Sequence, residues 1–83
     1  MNLKNVFWDY SDFQDEQNLI KFLNNNRNNE KVYLWILSRF LERASVADTL
    51  KIFTISEIEE FIDKVKISPK ARKKWKRIIQ LKK

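Results

Sequence analysis

The 83-residue chain has no cysteine, no histidine and no glycine, and Pro69 is its single proline. Without cysteine there is no disulfide to staple a small fold and no thiolate nucleophile. With histidine missing as well, the usual nitrogen and sulfur ligands of zinc are gone, as are Ser–His and Cys–His nucleophiles. The lack of glycine removes any Gly-rich phosphate loop. It also argues against a β architecture, because tight hairpins lean on glycine for positive φ. Helices joined by side-chain caps need none. No run approaches the roughly 20 apolar residues of a membrane-crossing helix, so no membrane partner is expected. Residues 1–10 hold no signal-peptide hydrophobic region, and the expected location is intracellular, in the cytoplasm.

What is present suits one small helical domain spanning residues 1–83. Apolar residues make up 43% of the chain and include six Phe, three Trp and two Tyr, enough to build a core. A chain this short buries only roughly 60% of its unfolded surface, so little stability is spare. The formal charge of +6 is unevenly spread. Residues 70–83 hold eight Lys/Arg and no acid, whereas residues 1–69 hold nine bases against eleven acids. A localised basic block is the usual footprint of a surface that meets a polyanion or an acidic partner.

Periodicity and caps predict an all-α fold, a compact bundle of about five short helices ending in a helix-turn-helix-like pair. Residues 1–10 read as a strap whose Phe7–Trp8 pair docks on the helices. Ser11 and Gln14 match a capping box opening a first helix to about Leu23, with Phe13, Leu19, Ile20 and Leu23 inward. The asparagine-rich residues 24–29 read as a linker. A second helix over about 29–44 carries Val32, Trp35, Ile36, Phe40 and Leu41 on one stripe, widened by Tyr33, Leu34 and Leu37. So broad an apolar face belongs at the centre of the domain, or against a second copy in a homodimer. Ser45 opens a short third helix to about Phe53. Thr54 and Glu57 form a capping box for a fourth, with Ile55, Ile58, Phe61, Ile62 and Val65 inward. Ser68 as cap and Pro69 at the first helical position open the last helix, residues 68–83. Its inward side is Ala71, Trp75, Ile78, Ile79 and Lys82.

The candidate site is the outer side of that last helix: Lys70, Arg72, Lys73, Lys74, Lys76 and Arg77. In a helix-turn-helix, the N-terminal residues of the second helix reach base edges while flanking bases hold phosphates. Of the N-terminal residues Lys70, Arg72, Lys73 and Lys74, only Arg72 offers a guanidinium fork for guanine, so the surface suits phosphate contact more than base reading. The same face suits an acidic partner protein, and spacing does not separate the two. The plain alternative is a solvated terminal helix. An acid-free basic block is an unusual solvating face, since such faces mix signs. Trp75 could stack on bases, but its spacing from Ala71 and Ile79 places it in the core stripe. Charge reversal at Lys70, Arg72, Lys73 and Lys74 is expected to abolish binding and leave helicity intact.

Catalysis has little to stand on, and neither enzyme activity nor a cofactor is expected. The carboxylates Asp9, Asp12, Asp15 and Glu16 could in principle hold a hard cation, but acids there more simply favour a helix start. Glu57, Glu59, Glu60 and Asp63 read the same way, so no metal is expected. A different class of function is a structural or oligomerising module that works through the apolar second helix.

Several local patterns carry a resemblance. Phe7-Trp8-Asp9, Leu41-Glu42-Arg43, Ser56-Glu57-Ile58, Ile67-Ser68-Pro69-Lys70 and Trp75 together resemble a family of small helical prokaryotic proteins. These are encoded beside nucleotidyltransferase-type toxins of the abortive-infection class. Residues 37–79 carry most of the likeness. The resemblance implies an antitoxin-like partner of a cognate toxin, with DNA-binding autoregulation and no catalysis in this chain.

Overall fold

Side-chain caps set nearly every helix start. A computed structural model describes residues 1–82. Among them are five α-helices and one 3-10 turn: Ser11–Gln14 (the turn), α1 Glu16–Asn25, α2 Glu30–Arg43, α3 Val46–Ile52, α4 Ile55–Phe61 and α5 Pro69–Lys82. No strand occurs among the described residues. Asn29, Ser45 and Thr54 each accept a backbone N–H at the start of α2, α3 and α4. Thr54 and Glu57 close the reciprocal capping box their spacing predicts.

The first cap departs from expectation. Asp15, not Ser11, opens α1, accepting from the N–H groups of Gln17 and Asn18 at 2.9 and 3.2 Å. Gln14 cannot reach back to Ser11 because its amide donates to the Phe7 carbonyl at 3.0 Å. A carboxylate facing the positive end of the helix also outcompetes a hydroxyl. The asparagine run is partly helical: α1 continues to Asn25, and Asn29 is the cap of α2.

The core gathers around α2. Tyr33, Ile36, Leu37, Phe40 and Leu41 are buried, and Leu3, Val6, Phe7, Leu19, Leu23, Phe53, Ile58, Ile62, Val65, Trp75 and Ile79 close round them. Phe40 meets Phe7 on one side and Phe53 on the other, edge to face at 6.2 and 5.6 Å. Such pairs add about 0.5–1.5 kcal/mol beyond burial. The radius of gyration is 12.1 Å, close to the ~12 Å of a fully compacted chain of this length. The width of the α2 apolar face is thus accounted for inside one chain.

Arg39 fastens the N-terminal strap to α2. Its guanidinium donates to both Asp9 carboxylate oxygens at 2.8 Å and to the Val6 carbonyl at 2.9 Å. It also lies 4.8–5.4 Å from the ring centres of Phe7, Trp8, Tyr10 and Trp35. Only half of the expected aromatic pair docks inward. Phe7 is fully buried, whereas Trp8 is 55% exposed and lies against Arg43 with the guanidinium carbon 4.0 Å from the ring centre. Ile20 and Lys82, expected inward, are exposed.

The last helix docks through groups that finish other helices. The Trp75 indole N–H donates to the Leu41 carbonyl at 2.9 Å, one of the four α2 carbonyls that no helical N–H can reach. Helix α4 ends at Phe61, short of the Ile62 and Val65 expected on it, and residues 62–68 form the connection to α5. Arg72 holds that connection by donating to the carbonyls of Ile62 and Val65. Ser68 caps α5 through the Ala71 N–H at 3.1 Å, and the Ser68 N–H itself donates to the Glu42 carboxylate.

These locks separate structural from surface residues on a single helix. Trp75→Ala should cost about 3–5 kcal/mol by cavity formation. Arg72→Gln should cost about 1–3 kcal/mol by orphaning two partly buried carbonyls. The neighbouring Lys73→Gln should stay within about 0.5 kcal/mol of the parent. Urea unfolding of the three variants measures all three values.

Candidate functional site

The docking of α5 sorts its cations. Ala71, Trp75 and Ile79 face the core, which turns Lys70, Lys73, Lys74 and Arg77 to solvent on the opposite side. Their spacing is i, i+3, i+4 and i+7, a single helical stripe about 10 Å long. None of these four makes an ion pair closer than 4.0 Å among those found. The nearest acid on the neighbouring connection, Asp63, is held by Lys76 at 2.8 Å. The Asp63 carboxyl is lowered below its ordinary value, chiefly by the Lys76 hydrogen bond and charge.

One of the six expected site residues is therefore engaged inside the fold, and a second is paired at the surface. Arg72 is half-buried with both terminal nitrogens on backbone carbonyls. It is not the outward fork that reads guanine, and it belongs in a charge-reversal set only as a destabilising member. Lys76 shares its charge with Asp63, although both are exposed and the pair is weak. Lys76 and the remaining four all border a shallow surface groove of about 580 Å³ that Ile78, Gln80 and Leu81 also line. Leu81 is 76% exposed, an apolar tip beside the basic stripe. Lys82 is exposed beyond it, and Lys83 lies outside the described residues.

The acids are dispersed rather than pooled. Asp9 is closed on Arg39 and Asp15 caps α1. The Asp9 carboxyl is lowered, first by the Arg39 hydrogen bond. Among the described residues no three Asp or Glu side chains gather as metal ligands would. No described helix is long and apolar enough to cross a membrane.

Glu57 does more than cap α4. Its carboxylate accepts from the Tyr33 hydroxyl at 2.6 Å and from the Thr54 N–H and hydroxyl, each at 3.1 Å. Arg27 reaches it at 3.5 Å from the asparagine-rich segment. Burial pushes the Glu57 carboxyl up, but the hydrogen bonds from Tyr33 and Thr54, with Arg27, outweigh it and hold the group low. The Tyr33 hydroxyl is pushed up, by burial first and then by Glu57.

Sequence reasoning missed the Arg39 nest and the Glu57–Tyr33 link. A signal for the first was available: Trp35, Arg39 and Arg43 recur every four residues and so share one face of α2. The link between Glu57 and Tyr33 joins residues 24 apart and left no local mark.

Compared with protein-family models, characterised proteins and solved structures, the chain matches none.

The Glu57 cluster gives the pH dependence a sign. A carboxyl held lower in the folded chain than in the unfolded one stabilises the fold above its unfolded value. That contribution fades as pH falls from about 4.5 through the lower folded value. Parent protein should therefore lose stability on the acid side of pH 4.5, and Glu57→Gln should flatten that limb. Urea midpoints measured between pH 7 and pH 3 test it, and an equally steep limb in the variant would contradict the assignment.

Proposed function

We propose that this chain is a non-enzymatic binding protein that uses the outward stripe of α5 to hold the phosphate backbone of a nucleic acid. The carrying observation is the stripe itself: Lys70, Lys73, Lys74 and Arg77 on one solvent-facing side of a helix whose opposite side is locked in the core. Four cations at helical spacing match successive phosphates by charge, and three of them are lysines, which lack the planar fork that base reading favours. The retreat of Arg72 into the fold strengthens the backbone-contact reading over sequence recognition. A regulatory, cytoplasmic role fits a small module of this kind.

One observation favours a second reading. The exposed Leu81 beside the stripe offers an apolar contact that a protein partner with an acidic face would use and a phosphate backbone would not. The resemblance to the small partners of abortive-infection nucleotidyltransferase toxins points the same way, toward an acidic surface on a cognate toxin. An oligomerising role for α2 would have to work through Val32, Leu34 and Trp35, the apolar side chains of that helix left partly buried.

Fluorescence anisotropy of a labelled duplex DNA, titrated at several salt concentrations, tests the first reading. Four phosphate contacts give a slope of about −3.6 in log K against log salt, roughly a hundredfold loss between 50 and 200 mM. Replacing Lys73, Lys74 and Arg77 with Gln should bring the slope to about −1. Absence of binding at low salt would reject nucleic acid and leave the acidic protein partner.

A further inference from the structure

A second cationic face lies away from the α5 stripe and shares no residue with it. Three lysines stand around an apolar floor of Leu34 and Trp35: Lys31 from α2, and Lys64 and Lys66 from the connection after α4. The groove they enclose holds about 370 Å³. It runs into a neighbouring hollow that shares Trp35 and Lys66 and adds Trp8 and Arg43. The face thus carries two indoles, each about 5 Å from the Arg39 guanidinium, at 4.8 Å for Trp8 and 5.1 Å for Trp35.

Its acids are already occupied. Asp9 is closed on Arg39, and Glu42 is tied to Ser68 at the start of α5. Glu30 meets Lys64 at 3.7 Å with both side chains about 60% exposed, a contact that an incoming anion exchanges at little cost. The aromatic surface open to solvent is that of Trp8, 55% exposed, with the partly buried Trp35 beside it and positive charge around both.

We propose that this face binds single-stranded nucleic acid, with unpaired bases against Trp8 and Trp35 and phosphates on Lys31, Lys64 and Lys66. Three observations select that occupant. Flat π-faces at the centre of a basic groove are what unpaired bases stack on, and paired bases cannot offer themselves. Arg43, already over the Trp8 ring at 4.0 Å, extends the platform, because guanidinium planes stack on bases too. An acidic peptide calls for guanidinium forks, and of the two on this face Arg39 is filled by Asp9 while Arg43 lies over the Trp8 ring. Lysines, as point charges, serve phosphates without such geometry.

Intrinsic tryptophan fluorescence of the full chain, titrated with a twelve-nucleotide oligothymidylate, tests the proposal. Inorganic polyphosphate and a Glu/Phe peptide serve as comparison ligands. The oligonucleotide should quench the emission saturably. Trp8→Ala should weaken it about tenfold, which at 1.4 kcal/mol per decade falls within the roughly 1–3 kcal/mol of one base stack. Trp8→Phe should retain most of the affinity, and polyphosphate binding should not change in either variant. Lys66→Gln, a change at an exposed side chain, should reduce the salt dependence at an unchanged melting temperature. Replacing Lys73 and Lys74 on α5 should leave the quenching intact. Equal binding of polyphosphate and oligonucleotide, indifference to Trp8→Ala, or quenching by the peptide alone would each overturn the proposal. So would quenching that vanishes with the α5 lysines.

Discussion

Helix ends are the constraint on which this structure turns. An α-helix leaves four carbonyls without partners at its C-terminus, and proteins commonly finish it with a glycine at positive φ. This chain has no glycine, and no described residue has positive φ. Its helix ends are closed partly by the next residues in the chain, as Asn26 does for α1 and Lys64 and Val65 do for α4, and partly by donors from elsewhere. Trp75 serves the end of α2 through the Leu41 carbonyl, and Arg72 serves the segment after α4 through Ile62 and Val65. Both donors sit on α5, so the last helix in the chain finishes α2 and holds the connection that follows α4.

That arrangement fixes the rotation of α5, and with it the functional surface. With Trp75 fully buried and Arg72 pinned, Lys70, Lys73, Lys74 and Arg77 have only solvent to face. The basic stripe is the other side of a docking requirement. Its charge has no such structural reason: a stripe of four cations with no acid among them carries mutual repulsion that a mixed surface avoids. The proposed binding to an anionic surface would supply the reason that stability does not.

Most of the fold was legible because it rests on local signals. The caps at Ser45, Thr54 and Ser68, the proline at the start of α5 and the apolar stripe of α2 are all written within a few residues of where they act. The failures are long-range. Arg72 reads as one more outward base, because nothing nearby in sequence reveals carbonyls seven and ten residues back that need a donor. Trp8 reads as core because it adjoins Phe7, yet Val6 and Phe7 take the buried places and the cations of α2 hold Trp8 at the surface. Ser11 lost its cap to Asp15 because Gln14 was drawn to the Phe7 carbonyl. Of the candidate site, the helix and its charge were legible. The division of its cations into fastened and free was not, since that division is set by tertiary contacts.

The central claim is that division, and residue-resolved lysine acetylation of the folded chain, with and without duplex DNA, tests it most directly. Lys70, Lys73 and Lys74 should react readily in the free protein and become protected by the duplex. Lys76, paired with Asp63, should react more slowly and change little, and Lys4, Lys21 and Lys51 should not respond. Protection spread evenly over all lysines, or strongest at Lys76, would contradict the assignment of the α5 stripe as the binding surface.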